Sequence, residues 1–251
     1  MCLAVLLTSL LSLPAAAAAP STESLTLRGE RQTLHLYGSR GGPVAVVASG
    51  DGGWTHLAPY VAELFSGQGY FIVGLDSKAY LSSFTRGETT LGTTDVPPDF
   101  AAVLDYAARG ASGLPVLVGV SEGAGLSVLA AGDDAVKTRT AGVVTLGLPD
   151  QNELGWRFRD SIIYITKGVP REPLFSAADV IGRVSPLPVA ALYSTRDEFV
   201  PADQVKRVMD RAREPKRLWL IEARNHDFEG SEAELKTKLL EALAWLKGQR
   251  R

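Results

Sequence analysis

The run Leu114-Pro115-Val116-Leu117-Val118 passes directly into Gly119-Val120-Ser121-Glu122-Gly123 and then into Ala124-Gly125-Leu126-Ser127-Val128-Leu129-Ala130. An apolar β-branched run, a G-x-S-x-G pentapeptide and a stretch of small residues read as buried strand, sharp turn and helix. In such an elbow the serine holds a strained backbone conformation. The flanking glycines are needed because a Cβ at either position would collide with the neighbouring strand or helix. The strain lifts the hydroxyl above the sheet edge, at the positive end of a helix. A chain with this element is committed to a strand-turn-helix unit inside a covered sheet.

The rest of the chain extends the alternation. Short strands are expected at Leu25-Thr26-Leu27 and at residues 33–37, and buried strands at 43–49, 70–75, 114–120, 141–148, 188–194 and 217–222. Helical patterns fall at 56–66, with Leu57, Tyr60, Val61 and Leu64 on one face, and at 98–108. A third runs from 232 to 248, with Leu235, Leu239, Leu243 and Leu246 in register. Alternating apolar strands and helices predict an α/β fold with a mostly parallel central sheet and helices on both faces. Sites in such sheets lie beyond the carboxyl ends of the strands. Residues 149–186 break the alternation and are rich in Trp, Arg, Asp and Pro, so they read as a small cap insertion.

Length and charge narrow the class. The chain has 251 residues, enough for one large α/β domain, and a net charge of -2. With no basic stripe, a nucleic-acid partner is not expected. Residues 1–19 carry no charge, contain Leu3-Ala4-Val5-Leu6-Leu7 and end in an alanine run. They read as a signal peptide with an A-x-A cleavage site near Ala17 to Ala19, which predicts a periplasmic or secreted domain over 20–251. The alternative is a disordered or membrane-anchoring N-terminus. The only cysteine, Cys2, lies inside this segment, so the mature chain has no disulfide and no thiolate ligand. Three scattered histidines and no H-E-x-x-H pattern give no metal site, and no cofactor motif is present.

A serine hydroxyl needs a base, and the base needs a carboxylate to orient it. Asp197 follows the strand around Ala190-Leu192-Tyr193, and His226 follows the strand Leu218-Trp219-Leu220-Ile221. The order Ser121, Asp197, His226, each at a strand terminus, is that of the α/β-hydrolase fold. Ser121 as a plain helix N-cap, Glu198 or Asp203 as the acid, and His56 or His35 as the base are the alternatives. An oxyanion hole would use the backbone N–H of Glu122 and one from Gly50-Asp51-Gly52-Gly53-Trp54, with Asp51 or Gly52 as the donor. The competing reading of that loop is a tight glycine turn without a ligand.

Several segments together resemble the VirJ/AcvB family of bacterial virulence proteins. They are Ser-Gly-Asp-Gly-Gly-Trp at 49–54, Asp76-Ser77-Lys78-Ala79-Tyr80-Leu81, the elbow with Ala124, Asn152-Glu153-Leu154-Gly155-Trp156-Arg157, and Ser194-Thr195-Arg196-Asp197-Glu198. The resemblance implies an exported α/β-hydrolase acting on lysyl-phosphatidylglycerol, an aminoacyl ester of a membrane phospholipid, and an association with secretion-system proteins. It marks Trp54, Lys78, Tyr80 and Trp156 as substrate-binding side chains. By charge sign, Lys78, Arg86, Arg157, Arg159 and Lys167 would meet the phosphate of such a substrate. Asp51, Glu122, Asp95 or Glu153 would meet its ammonium. A carboxylesterase for small soluble esters and a non-catalytic periplasmic accessory factor are the competing functions.

Overall fold

Six of the expected apolar runs become strands that share one register, and this register gathers the loops of interest at one edge. A computed structural model of the chain describes residues 19–157 and 172–249. Residues 1–18 of the expected signal peptide, Arg159, Lys167 and the middle of the insertion lie outside the described residues. Strands β1 (Ser21–Leu27), β2 (Glu30–Tyr37), β3 (Val44–Ala48), β4 (Phe71–Leu75), β5 (Val116–Val120), β6 (Val143–Leu146), β9 (Val189–Ser194) and β10 (Lys216–Ile221) form an eight-stranded sheet. Its order is β1-β2-β4-β3-β5-β6-β9-β10. The first hairpin is antiparallel, β2 is antiparallel to β4, and every pairing from β4 to β10 is parallel. Ala48 pairs with Gly119, Val120 with Leu146, and Ser194 with Ile221. The carboxyl ends of β3, β5, β6, β9 and β10 therefore line one edge, where a ligand site of an open parallel sheet is built.

Helices cover both faces. On one face pack α3 (Val96–Ala107), α4 (Glu122–Ala131) and the lone turn α5 (Asp134–Lys137). On the other lie α1 (Leu57–Ser66) and the C-terminal helix α8 (Glu232–Gly248). The helix α3 begins two residues earlier than its sequence pattern suggests, because Pro97 and Pro98 fit its first turn, where an N–H has no partner anyway. In α8 the buried stripe is Leu235, Leu239, Ala242, Leu243 and Leu246. A leucine so buried contributes about 1.5–3 kcal/mol over an exposed one. Nearly every residue of α4 is buried, which explains its small side chains: the helix is packed between sheet, α3 and the insertion.

Two parts of the fold were not marked by the sequence pattern. The two-turn α2 (Ser77–Ser83) starts at Asp76, whose carboxylate accepts the Ala79 N–H at 2.9 Å. The insertion contains an antiparallel hairpin, β7 (Gln151–Glu153) with β8 (Leu174–Ser176), followed by α6 (Ala177–Val180) and a 3-10 turn at 181–183. Helix α7 (Ala202–Arg211) links β9 to β10. Among the described residues, no helix is long and apolar enough to cross a membrane.

Candidate active site

The elbow at Ser121 is a strained non-glycine position, with φ 50° and ψ −119°. Three of the four described non-glycine residues at positive φ lie on loops at the same sheet edge: His56, Ser121 and Phe228. Such strain persists only where packing enforces it. At the elbow, a Cβ on Gly119 would sit 2.4 Å from the Ala124 Cα, and one on Gly123 would sit 2.2 Å from the Ser49 carbonyl oxygen. Both glycines are therefore dictated by backbone approach. The Ser121 N–H donates to the Leu146 carbonyl at 2.8 Å, which ties the turn to β6.

The loop after β3 lies against the serine. A Cβ on Gly50 would stand 3.4 Å from the Ser121 Cβ. The loop is closed by the Gly53 N–H on the Gly50 carbonyl at 3.1 Å. Asp76 then pins it to α2, because one carboxylate oxygen caps the helix and the other accepts the Trp54 N–H at 3.1 Å. Ser49 Oγ accepts the Ser77 N–H at 3.0 Å. Among the loop amides, those of Asp51 and Gly52 make no hydrogen bond with the described residues. The Glu122 N–H opens α4 and has no carbonyl one turn earlier to bond. These amides, beside the Ser121 side chain, form a set of donors that a developing oxyanion could use.

The acid and the imidazole meet directly. Asp197 Oδ2 lies 2.7 Å from His226 Nδ1. Its other oxygen accepts the N–H groups of Phe199 and Val200 at 2.9 and 2.8 Å, and the carboxylate side chain is wholly buried. Of the two alternative acids, Glu198 accepts the His226 backbone N–H at 2.9 Å and fixes the loop. Asp203 is exposed on α7 beside Arg207. The ring of His226 packs on Gly147, where a Cβ would meet the ring at 2.6 Å. Residues 146 and 147 thus hold the Ser121 turn on one side and the imidazole on the other. No hydrogen bond from Ser121 Oγ to the ring is present among the described residues. Such contacts are commonly long in the absence of substrate and tighten in the reacting complex.

Burial favours the neutral ring of His226. The hydrogen bond and charge of Asp197, with Asp227 and Glu198 nearby, outweigh it and hold the imidazole above its ordinary value. With Nδ1–H donated to Asp197, Nε2 is the free base nitrogen. The other two histidines are placed differently. His35 stacks on Trp54 at 4.6 Å between ring centroids, and His56 begins α1 on the exposed side of the loop.

The expected substrate-binding side chains divide. Lys78 Nζ lies 4.4 Å from the Trp156 ring centroid, so α2 and the insertion meet beside the Gly53 loop. Trp54 is half-buried. Its indole covers Gly74, stacks on His35 and donates to the Tyr37 hydroxyl at 3.1 Å, so it anchors the loop to the sheet. Tyr80 is a correction. It is fully buried and its hydroxyl donates to Asp99 at 2.7 Å, so it faces the core and not a ligand. Among the charged candidates, Arg86 pairs with Glu30 at 2.7 Å, Asp95 with Arg28 at 3.3 Å, and Arg157 with Glu172 at 2.5 Å. Glu122 is buried and accepts the Glu153 N–H at 2.7 Å, whereas Asp51 is half-buried. Gly147 was not singled out by sequence reasoning, and its signal was a glycine at the end of the β6 run. Glu198, an alternative acid by sequence, instead accepts the backbone N–H of His226. No group of His, Cys, Asp and Glu among the described residues could hold a metal ion.

Sheet order, elbow and the loops at the carboxyl edge define an α/β-hydrolase fold. Solved structures agree. The α/β hydrolase GrgF from Penicillium sp. sh18 superposes with a TM-score of 0.67 at 14% identity, over 92% of this chain and 99% of that one. An esterase from Pyrococcus furiosus gives 0.67 at 15% identity, over 90% of each chain. A membrane phospholipase A described as a bacterial virulence factor gives 0.63 at 14%, over 91% of this chain and 87% of that one. At such identities the likeness is one of fold. No curated protein sequence matches the chain. The profile of the bacterial virulence protein (VirJ) family matches residues 42–245, and the chain belongs to that family.

Proposed function

We propose that the protein is a serine hydrolase of carboxylic esters, with Ser121 as nucleophile, His226 as general base and Asp197 as the orienting acid. The observation that carries this reading is the buried Asp197–His226 pair at 2.7 Å, at the same sheet edge as the strained Ser121 elbow. Ser121 Oγ attacks the acyl carbonyl carbon as His226 Nε2 takes its proton. The carbonyl oxygen becomes an oxyanion and is held by the Glu122 N–H and by that of Asp51 or Gly52. The intermediate collapses, the C–O bond breaks, and the imidazolium returns its proton to the departing alcohol. Water then attacks the acyl-serine, again giving its proton to His226; the Oγ–acyl bond breaks, the imidazolium returns the proton to Ser121 Oγ, and the carboxylic acid leaves.

The finer reading is an aminoacyl ester of phosphatidylglycerol, met in the periplasm by an exported protein. Membership of the VirJ family supports it, as does fold likeness to a membrane phospholipase A described as a virulence factor. Two local features are compatible with such a substrate. Half-buried Asp51 is a carboxylate for an ammonium beside the oxyanion loop, and Lys78 is a cation for a phosphate beside Trp156. Phe199, which stands edge-on to the His226 ring and is 52% exposed, adds an apolar lip. The test is release of lysine from lysyl-phosphatidylglycerol in mixed micelles, compared with hydrolysis of short p-nitrophenyl esters. Preference for the aminoacyl lipid, weakened by Asp51→Asn, is the expected result. Preference for short esters gives the small-ester carboxylesterase. No hydrolysis of either by folded protein gives the non-catalytic accessory factor.

A further inference from the structure

Glu122 is a buried carboxyl that the reaction above does not use, since only its backbone N–H takes part. It is 5% exposed and directly follows the nucleophile. Its Oε1 accepts the backbone N–H of Glu153, in β7 of the insertion, at 2.7 Å. One turn along α4, Gly125 is in contact with the Asn152 side chain, so tightly that a Cβ there would overlap its Oδ1. Two consecutive insertion residues, Asn152 and Glu153, therefore dock on the first turn of the helix that carries Ser121. The base of the same hairpin is held by Asp150. Asp150 accepts from Ser176 Oγ at 2.6 Å and pairs with Arg207 of α7 at 3.1 Å.

We propose that the Glu122 carboxyl is a positioning residue: it ties β7 of the insertion to the nucleophile elbow and so sets the roof over Ser121. Its meaning for catalysis rests on the hydrolase reading, but the tie itself does not. Burial, then the charges of Glu153 on β7 and Asp51 on the loop after β3, push this carboxyl well above the usual range, against a smaller opposing effect of the Glu153 N–H. The folded state therefore favours a protonated Glu122. Because the folded value lies above the unfolded one, the contribution is complete at low pH and is lost as pH rises through the folded value. Ionisation would put a charge on a buried carboxyl beside Glu153, and relieving it means parting β7 from α4.

The experiment is amide hydrogen exchange of residues 151–154 in the whole folded protein, followed from mildly acidic to alkaline pH. Rates are corrected for intrinsic base catalysis. Wild-type protection at Glu153 should fall as pH rises. Glu122→Gln keeps an acceptor and cannot ionise, so its protection should persist to the alkaline end. Glu122→Ala should exchange at Glu153 about tenfold faster than wild type at the acidic end, as loss of one hydrogen bond implies, with no further change as pH rises. In Glu122→Ala the rate at which Ser121 is acylated should fall as well, and in wild type its rise with pH as His226 loses its proton should turn to a fall where the protection of Glu153 is lost. Undiminished protection in Glu122→Ala overturns the proposal. So does a Glu122→Gln profile that falls with pH as wild type does. Exchange needs no turnover, so failure of the hydrolase reading and failure of this one give different results.

Discussion

At the residue scale the proposed reaction depends on three side chains, Ser121, Asp197 and His226, and the elbow that carries the first depends on Gly119 and Gly123. His226 titrates above its ordinary value, and a base must be neutral to accept a proton. The acylation rate should therefore rise with pH through an inflection above about 6.5, the ordinary histidine value. Asp197→Asn should cut the rate by about 10³–10⁴-fold and move the inflection down, because the ring loses both its anion and its tautomer control. An inflection that does not move in this variant would contradict the assignment. Tyr80 separates a structural from a functional role. Tyr80→Phe removes the donor to buried Asp99 and should cost about 1–3 kcal/mol of stability, read in urea unfolding, while KM is unaltered. That Asp197 and His226 end strands at the same sheet edge as the Ser121 elbow was legible because each follows an apolar strand. Tyr80 was misread because a tyrosine in a family motif looks the same on either face of a short helix. Its partner Asp99 lies 19 positions away and gives no sequence signal.

At the element scale the loops are positioned by register and by a few polar pins. Asp76 both caps α2 and accepts from the loop after β3, so Asp76→Ala should loosen the proposed oxyanion donors without touching the nucleophile. The expected loss is about 10²–10³-fold in kcat with little change in KM, the size seen when one oxyanion donor is removed. A change confined to KM would move Asp76 from the oxyanion loop to the binding of substrate. The strands and the C-terminal helix were legible because their periods are clean: five consecutive buried residues in β3, β4 and β5, and leucines four apart in α8. The hairpin of β7 and β8 was not, since three-residue strands such as Gln-Asn-Glu carry no apolar alternation. They are held by Asp150, Asn152 and the Glu122 carboxyl instead. Helix α4 shows the opposite case. It has no polar face to mark it, and its burial follows from its position beneath the insertion.

For the whole molecule, two apolar cores on either side of one sheet carry stability, and the carboxyl edge carries chemistry. The two should be separable. Leu239→Ala, in the core beneath α8 and away from the edge, should cost about 2–5 kcal/mol. The remaining folded protein should acylate at the wild-type rate. The most direct measurement is fluorophosphonate labelling of the purified protein, read by mass on the peptide containing Ser121, beside Ser121→Ala. The account predicts one adduct on that peptide, lost in Ser121→Ala and formed far more slowly in His226→Ala. Folded protein that takes no label, or that labels equally well without Ser121, would contradict it.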